Sequence, residues 1–171
     1  PVINLTQSVV LLTNKRGGMA RLGVDLGRVQ SKYDCVLGAN LHPTVPVDRH
    51  VFAKRARVWV NADGFITPLD LRNLADFTVG PPAQWRFVAS AGNDRAAEII
   101  LTADMLDGQN ATVLQFHRPD GPVPFGHDLA PDCRVSITVR VDIEDRNFHH
   151  ETQHNGGAEH HFNSHTRALP Q

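Results

Sequence analysis

The stretch VSITVRVDIEDRNFHHETQHNGGAEHHFNSH, from Val135 to His165, decides the fold because it supports two readings. Its first half alternates strictly. Val135, Ile137, Val139, Val141 and Ile143 fall on one side, and Ser136, Thr138, Arg140 and Asp142 on the other, as in a strand with one buried face. That pattern places the five aliphatic residues in a core, each contributing about 1.5–3 kcal/mol on burial. An aspartate at Val139 would then leave an unpaired charge inside. The second half contains HETQHNGGAEH. Its residues His150, Glu151, His154, Gly157 and His160 fit the spacing H-E-x-x-H-x-x-G-x-x-H of metzincin zinc proteases.

As chemistry, the zinc motif needs a helix that puts His150 and His154 on one face. Glu151 would be general base to a metal-bound water, and Gly157 would turn the chain so that His160 completes the ligand set. The context argues against it. A buried active-site helix interleaves apolar residues with its ligands, yet between Glu144 and His161 the only apolar side chains are Phe148 and Ala158. Metzincins also carry a methionine turn downstream, and both methionines here, Met19 and Met105, lie upstream. Six of the ten histidines fall between His149 and His165, which inflates the match. His150, His154 and His160 are therefore rejected as a catalytic metal site. No metal and no cofactor is expected, beyond adventitious Zn²⁺ or Ni²⁺ binding by the histidines.

Working outward, strand signals dominate. Ser8 to Leu12, Tyr33 to Ala39, Val51 to Asn61, Trp85 to Ser90, Arg95 to Ala103 and Ala111 to His117 are apolar or alternating runs. In the Val51–Asn61 run, Phe52, Ala56, Val58 and Val60 point one way, and Arg55, Arg57 and Trp59 the other. Gly17-Gly18, a Pro-rich connection HPTVPVDRH, Asp63-Gly64 and DGQN (Asp107 to Asn110) mark turns. Only Leu69 to Phe77 has helical spacing. Thirteen glycines and eleven prolines spread through the connections suit a many-stranded protein. The fold class is all-β, an antiparallel β-sandwich.

Composition narrows the function. At 171 residues the chain is one domain or a large piece of a longer protein. A net charge of −1 makes no electrostatic case for nucleic acid or an anionic membrane. No run is long and apolar enough to span a bilayer, and no signal peptide opens the sequence. It begins at Pro1 rather than Met, which suggests processing or an excised fragment. Cys35 and Cys133 sit in strand-like runs and read as two buried free thiols of a reducing compartment.

Five segments in order carry a resemblance. They are LLTNKRGG (Leu11 to Gly18), SKYDCVLGA (Ser31 to Ala39), VPVDRHVFAKRARV (Val45 to Val58), QNATVLQF (Gln109 to Phe116) and VSITVRVDIEDRNFHHET (Val135 to Thr152). Together they resemble the N-terminal domain of bacterial and archaeal glycogen debranching enzymes of the amylo-α-1,6-glucosidase type, over roughly Leu5 to Asn155. Met19 stands where that family usually has an aromatic, Asp34 replaces a typical histidine, and the order within EDRNFHH is shifted. The resemblance implies a supersandwich related to mutarotase-like domains at residues 1–165. Residues 166–171 would be a linker stub toward a catalytic α/α barrel of the same polypeptide. It further implies a cytoplasmic, non-catalytic role in glycogen breakdown, as a scaffold for the barrel and a possible binder of α-glucan. A stand-alone carbohydrate-binding module is the alternative, and the zinc protease a second one.

Candidate site residues follow. Trp59 and Trp85 are candidate sugar-stacking platforms. Trp59 is preferred because it shares the arginine-bearing face of its strand. Arg146, Asn147 and His149 are candidates for an inter-domain edge or carbohydrate contact by the resemblance. Glu144 and Asp145 invite reading as a glycosidase pair, but adjacent strand residues diverge unless a bulge intervenes. No catalytic residue is assigned.

Overall fold

A computed structural model of the protein describes residues 5–42, 44 and 47–170. Pro43, Val45 and Pro46 of the Pro-rich connection, Pro1 and the last tail residue Gln171 lie outside the described residues. The fold is the expected all-β arrangement of two sheets, antiparallel throughout except for one short parallel pairing in the second. The first sheet has the order β1 (Val9–Thr13), β2 (Met19–Gly23), β3 (Cys35–Asn40), β4 (Arg49–Ala62) and β11 (Val135–Asn147), with β5 (Phe65–Pro68) also on β4. The second has β6 (Leu74–Thr78), β7 (Ala83–Ser90) and β8 (Arg95–Met105), with β9 (Thr112–His117) and the two-residue β10 (His127–Asp128) on β8. A polar helix, α1 (Gly156–His165), follows β11.

Alternation builds the core between the sheets. Ala83, Trp85, Phe87 and Ala89 of β7 and Ala97, Ile99, Leu101 and Ala103 of β8 meet Val10, Leu12, Leu22, Val58 and Val60 of the first sheet. Trp85 is fully buried, its indole Nε1 donates to the Val24 carbonyl at 3.1 Å, and its ring lies 5.0 Å from that of Phe77. It is a core residue, not a sugar platform. Cys35 is buried and Cys133 half-buried rather than buried, and both are free thiols.

Three further expectations need correction. First, the aliphatic stripe of β11 is on the expected side but is not buried. Ile137, Val139 and Val141 oppose Val60, Val58 and Ala56 of β4, which are core residues. Directly opposed residues share a face. The second sheet nevertheless stops short of β11. Ile137, Val139 and Val141 are 37%, 43% and 43% exposed, and Ile143 is 62% exposed. Only Val135 packs against the core, from its margin. Second, Leu69 to Phe77 is not helical. Asp70 caps a single 3₁₀ turn, Leu71–Asn73, and the rest forms β6. Pairing of β6 with β7, with Phe77 seated on Trp85, overrides the local spacing. Third, Phe52 does not share the face of Ala56. The register of β4 shifts between Ala53 and Arg55, so Val51 is fully buried and Phe52 only half-buried. Strand β2 and helix α1 were not anticipated. The first is short and flanked by glycines. The second buries no residue and so leaves no apolar stripe.

On the outer face, Asp142 lies between Arg55 and Arg57, with the Arg57 Nη2 at 2.8 Å. Burial pushes the Asp142 carboxyl up, but hydrogen bonds and charge from the two arginines outweigh it and hold the group below the usual range. Its contribution is therefore present above the unfolded carboxyl pKa of about 3.9 and is lost as pH falls through the lower folded value. Asp142→Asn should lower stability by about 1 kcal/mol at neutral pH. The gap from the parent should close once denaturant titrations reach the acid side of that window. Leu101→Ala, at a fully buried site, should cost about 2–5 kcal/mol in the same assay.

Candidate functional site

The sequence segments that carry the family resemblance meet in space. Asn14 is fully buried. Its Oδ1 accepts from the Arg16 and Gly18 amides at 2.9 and 2.8 Å, and its Nδ2 donates to the Gln109 carbonyl and Asn110 Oδ1, both at 2.9 Å. One side chain thus ties the LTNKRGG turn to the QNATVLQF strand entry. The double glycine is required by space. A Cβ at Gly18 would stand 2.4 Å from Asn14 Nδ2, and Gly17 has φ of +85° with its Cβ position 2.5 Å from Asn40 Nδ2. This is the tight turn that the double glycine marks in the sequence. Asp34, at the position of the family's histidine, is buried. It pairs with Arg21 and accepts from the Gln30 and Ser31 amides at 2.6 and 2.9 Å.

A second junction gathers the other motifs at one end of the first sheet. Met19, Cys35 and Val51 form a small apolar cluster with Phe148 against it. The Arg49 guanidinium lies 5.3 Å from the Phe148 ring centroid and donates to the Met19 sulfur at 3.5 Å. The Tyr33 ring is 4.9 Å from Phe148. Arg146 is the clamp of this region, 8% exposed. It donates to the Lys32 carbonyl at 2.8 Å, the Asn147 carbonyl at 3.2 Å, the His150 carbonyl, and Glu144 Oε2 at 3.1 Å. The nearby Lys54 ammonium, which donates to the Lys32 carbonyl at 3.0 Å, is held below its usual pKa by burial and by the Arg146 charge.

Beside this junction lies a cleft of about 730 Å³ between the end of β11, the segment 148–155 and α1. Its lining includes His50, Glu144, Asp145, Arg146, His161 and Phe162. The register of β11 against β4 shifts between Ile143 and Arg146, leaving Glu144 and Asp145 outside the ladder. With that irregularity both acidic residues line the cleft, where a regular strand would have separated them. Each is engaged. Glu144 accepts from Arg146 and from the Thr152 hydroxyl. Asp145 Oδ1 is 2.7 Å from His50 Nδ1, and its Oδ2 is 3.0 Å from His161 Nε2 and 2.9 Å from His165 Nδ1. Burial raises the Asp145 carboxyl. The hydrogen bond and charge of His50, with His161 and His165, bring it below the ordinary range.

The residues singled out from sequence divide between two places. Arg146 and Asn147 line the cleft, while His149 is exposed beside it, its ring edge-on to Phe148 at 5.5 Å. Trp59 is elsewhere. It lies eight residues along β4 from Val51, the partner of Arg146, a separation of about 26 Å at strand rise. There, half-buried, it lines a shallow cleft of about 290 Å³ with Asp25, Arg28, Pro68 and Asp70. Of the rejected zinc motif, His150 and His154 fall in irregular chain and His160 on α1, so the three do not share one helix. Among the described residues, Asp145, His161 and His165 are the one group whose ligand atoms could meet on a metal, all lying within 4.8 Å of one another. Sequence reasoning passed over His161 and His165, although their i, i+4 spacing was a usable signal.

Arg146→Met should cost about 3–5 kcal/mol, because it strands Glu144 and the carbonyls of Lys32, Asn147 and His150. Hydrogen exchange should show the segment 148–155 losing protection in that variant, with the β7–β8 pair unaffected.

No helix among the described residues is long and apolar enough to cross a membrane. No curated protein and no solved structure matches the chain significantly. The sequence model of the glycogen debranching enzyme N-terminal region does match, over residues 9–169 of 171. That span takes in both motif junctions, the cleft and the unburied strand face. The chain belongs to the glycogen debranching enzyme N-terminal domain family.

Proposed function

We propose that this domain serves as the non-catalytic scaffold of a cytoplasmic glycogen debranching enzyme, docking against the catalytic part of the same polypeptide through the uncovered face of β11. The observation that carries this is the aliphatic row Ile137, Val139 and Val141. It continues the core-facing side of the first sheet beyond the reach of the second. A surface of that kind is costly in water and suits an interface. Arg146 and Asn147 sit at the far end of the same strand and His149 just beyond it, where an inter-domain edge would run.

A second role, binding of α-glucan, is supported at Trp59. The half-buried indole beside Arg28, Asp25 and Asp70 combines an aromatic face with hydrogen-bonding groups at a shallow cleft, a combination suited to a pyranose ring. As a stand-alone carbohydrate-binding module the domain would use Trp59 and leave the β11 face idle, so the two readings separate by mutation. The catalytic carboxylates of glycogen debranching are assigned to the other part of the enzyme.

The experiment is co-expression of this domain with the catalytic part of its enzyme, followed by gel filtration and debranching assay. The parent domain should co-elute. Val139→Asp with Val141→Asp should abolish co-elution while shifting the isolated domain's melting temperature by no more than a few degrees. Co-elution that survives the double substitution would refute docking at β11. Maltooligosaccharide titration of Trp59→Ala decides the glucan role, since unchanged binding would move the sugar site away from that indole.

A further inference from the structure

We infer that Asp145, His161 and His165 form a binding site for one divalent transition-metal ion of the zinc type, a site distinct from the H-E-x-x-H motif that the sequence displays. The geometry carries this. Asp145 Oδ2 lies 3.0 Å from His161 Nε2 and 2.9 Å from His165 Nδ1, and the two nitrogens are 3.3 Å apart. Ligands bound tetrahedrally at about 2.0–2.1 Å stand about 3.3–3.4 Å from one another. The three atoms therefore already form, within a few tenths of an ångström, one face of a tetrahedral site.

The surroundings are those of a metal site as well. His161 and His165 are four apart on α1, so the helix presents both imidazoles to the same point. Their rings meet edge to face, with centroids 4.2 Å apart and planes at 83°. The third donor comes from a different element, β11, and its carboxylate is aimed. Asp145 Oδ1 is 2.7 Å from His50 Nδ1, which leaves Oδ2 for the metal. His50 thus has the place of an outer-shell residue that orients a ligating carboxylate. Two imidazole nitrogens converging on one oxygen, 3.3 Å from each other, are crowded as a pair of hydrogen-bond donors. A cation replacing their two protons uses the same convergence favourably.

The donor set selects the metal class. Two imidazoles and one carboxylate suit Zn²⁺, Co²⁺ or Ni²⁺, whereas Ca²⁺ and Mg²⁺ call for oxygen ligands. The effect would be mechanical. Helix α1 buries no residue of its own, so a metal shared with β11 would pin it in place and fix one wall of the 730 Å³ cleft. Metal binding and the ordering of α1 would then be coupled.

The test uses the 171-residue chain without a histidine tag, stripped with chelator and titrated with Zn²⁺ by calorimetry, with Co²⁺ absorption to report geometry. One Zn²⁺ per chain and an intense tetrahedral Co²⁺ spectrum are expected. His161→Ala, His165→Ala and Asp145→Asn should each weaken binding at least tenfold. His150→Ala combined with His154→Ala should leave it unchanged. Because His161 and His165 are exposed, circular dichroism should show the apo variants folded, and His161→Gln supplies a size-matched second variant. The inference fails if no Zn²⁺ binds at micromolar concentration. It also fails if His161→Ala with His165→Ala still binds, or if the His150/His154 pair carries the affinity. None of these outcomes depends on whether β11 docks to a catalytic domain.

Discussion

The pairing of β11 with β4 is the constraint from which most of this structure follows. Its register sets Val139 opposite Val58 and Asp142 opposite Arg55. One choice of alignment therefore puts an aliphatic row on the core side and an ion-paired row on the other. A slip of one residue would exchange the two faces, setting aspartate and arginine toward the core. The same register breaks after Ile143, and that break sends Glu144 and Asp145 into the cleft rather than to opposite sides of the sheet. Arg146 resumes the ladder opposite Val51 and locks the irregularity by bonding chain on both sides of it.

Buried polar groups do the work at the motif junctions that apolar packing does between the sheets. Asn14 satisfies four hydrogen-bonding partners from two distant turns. Asp34 gathers two loop amides and Arg21. Fully satisfied groups of this kind specify one arrangement of loops. The resembling segments accordingly join strand sequence to the polar turn residues at the strand ends, as LTNKRGG joins β1 to β2 and SKYD leads into β3. The motifs mark joints between elements.

What was legible in the sequence was whatever depends on alternation within one segment. The strands at Val9–Thr13, Arg49–Ala62, Arg95–Met105 and Val135–Asn147 were readable in that way, and so was the face that Val139 takes. Whether that face is covered was not, because coverage depends on how far a second sheet extends. The nonpolar spacing of Leu69 to Phe77 was overridden by a partner strand, and the β4 register shift that separates Phe52 from the core leaves no local mark. At the cleft, Arg146 and Asn147 were marked by their motif. The Asp145 cluster was hidden because its members come from β4, β11 and α1, and because the louder zinc motif nearby drew the eye to different histidines.

The outer edge of β11 has a further consequence for the chain as a material. Its thirteen residues contain no proline, and among the described residues it has a neighbouring strand on one side only. Backbone donors and acceptors along the other side are a template onto which a foreign strand can zip. Aliphatic side chains beside that edge would reward such pairing. Within Val135–Val141 the one charged residue is Arg140, and Arg134 and Asp142 flank the run as further gatekeepers against stacking. Unpartnered, the domain therefore carries the ingredients of concentration-dependent fibrous association at one strand. Under the docking proposed above, a covering domain made in the same polypeptide would stand at high effective concentration beside that strand from the start.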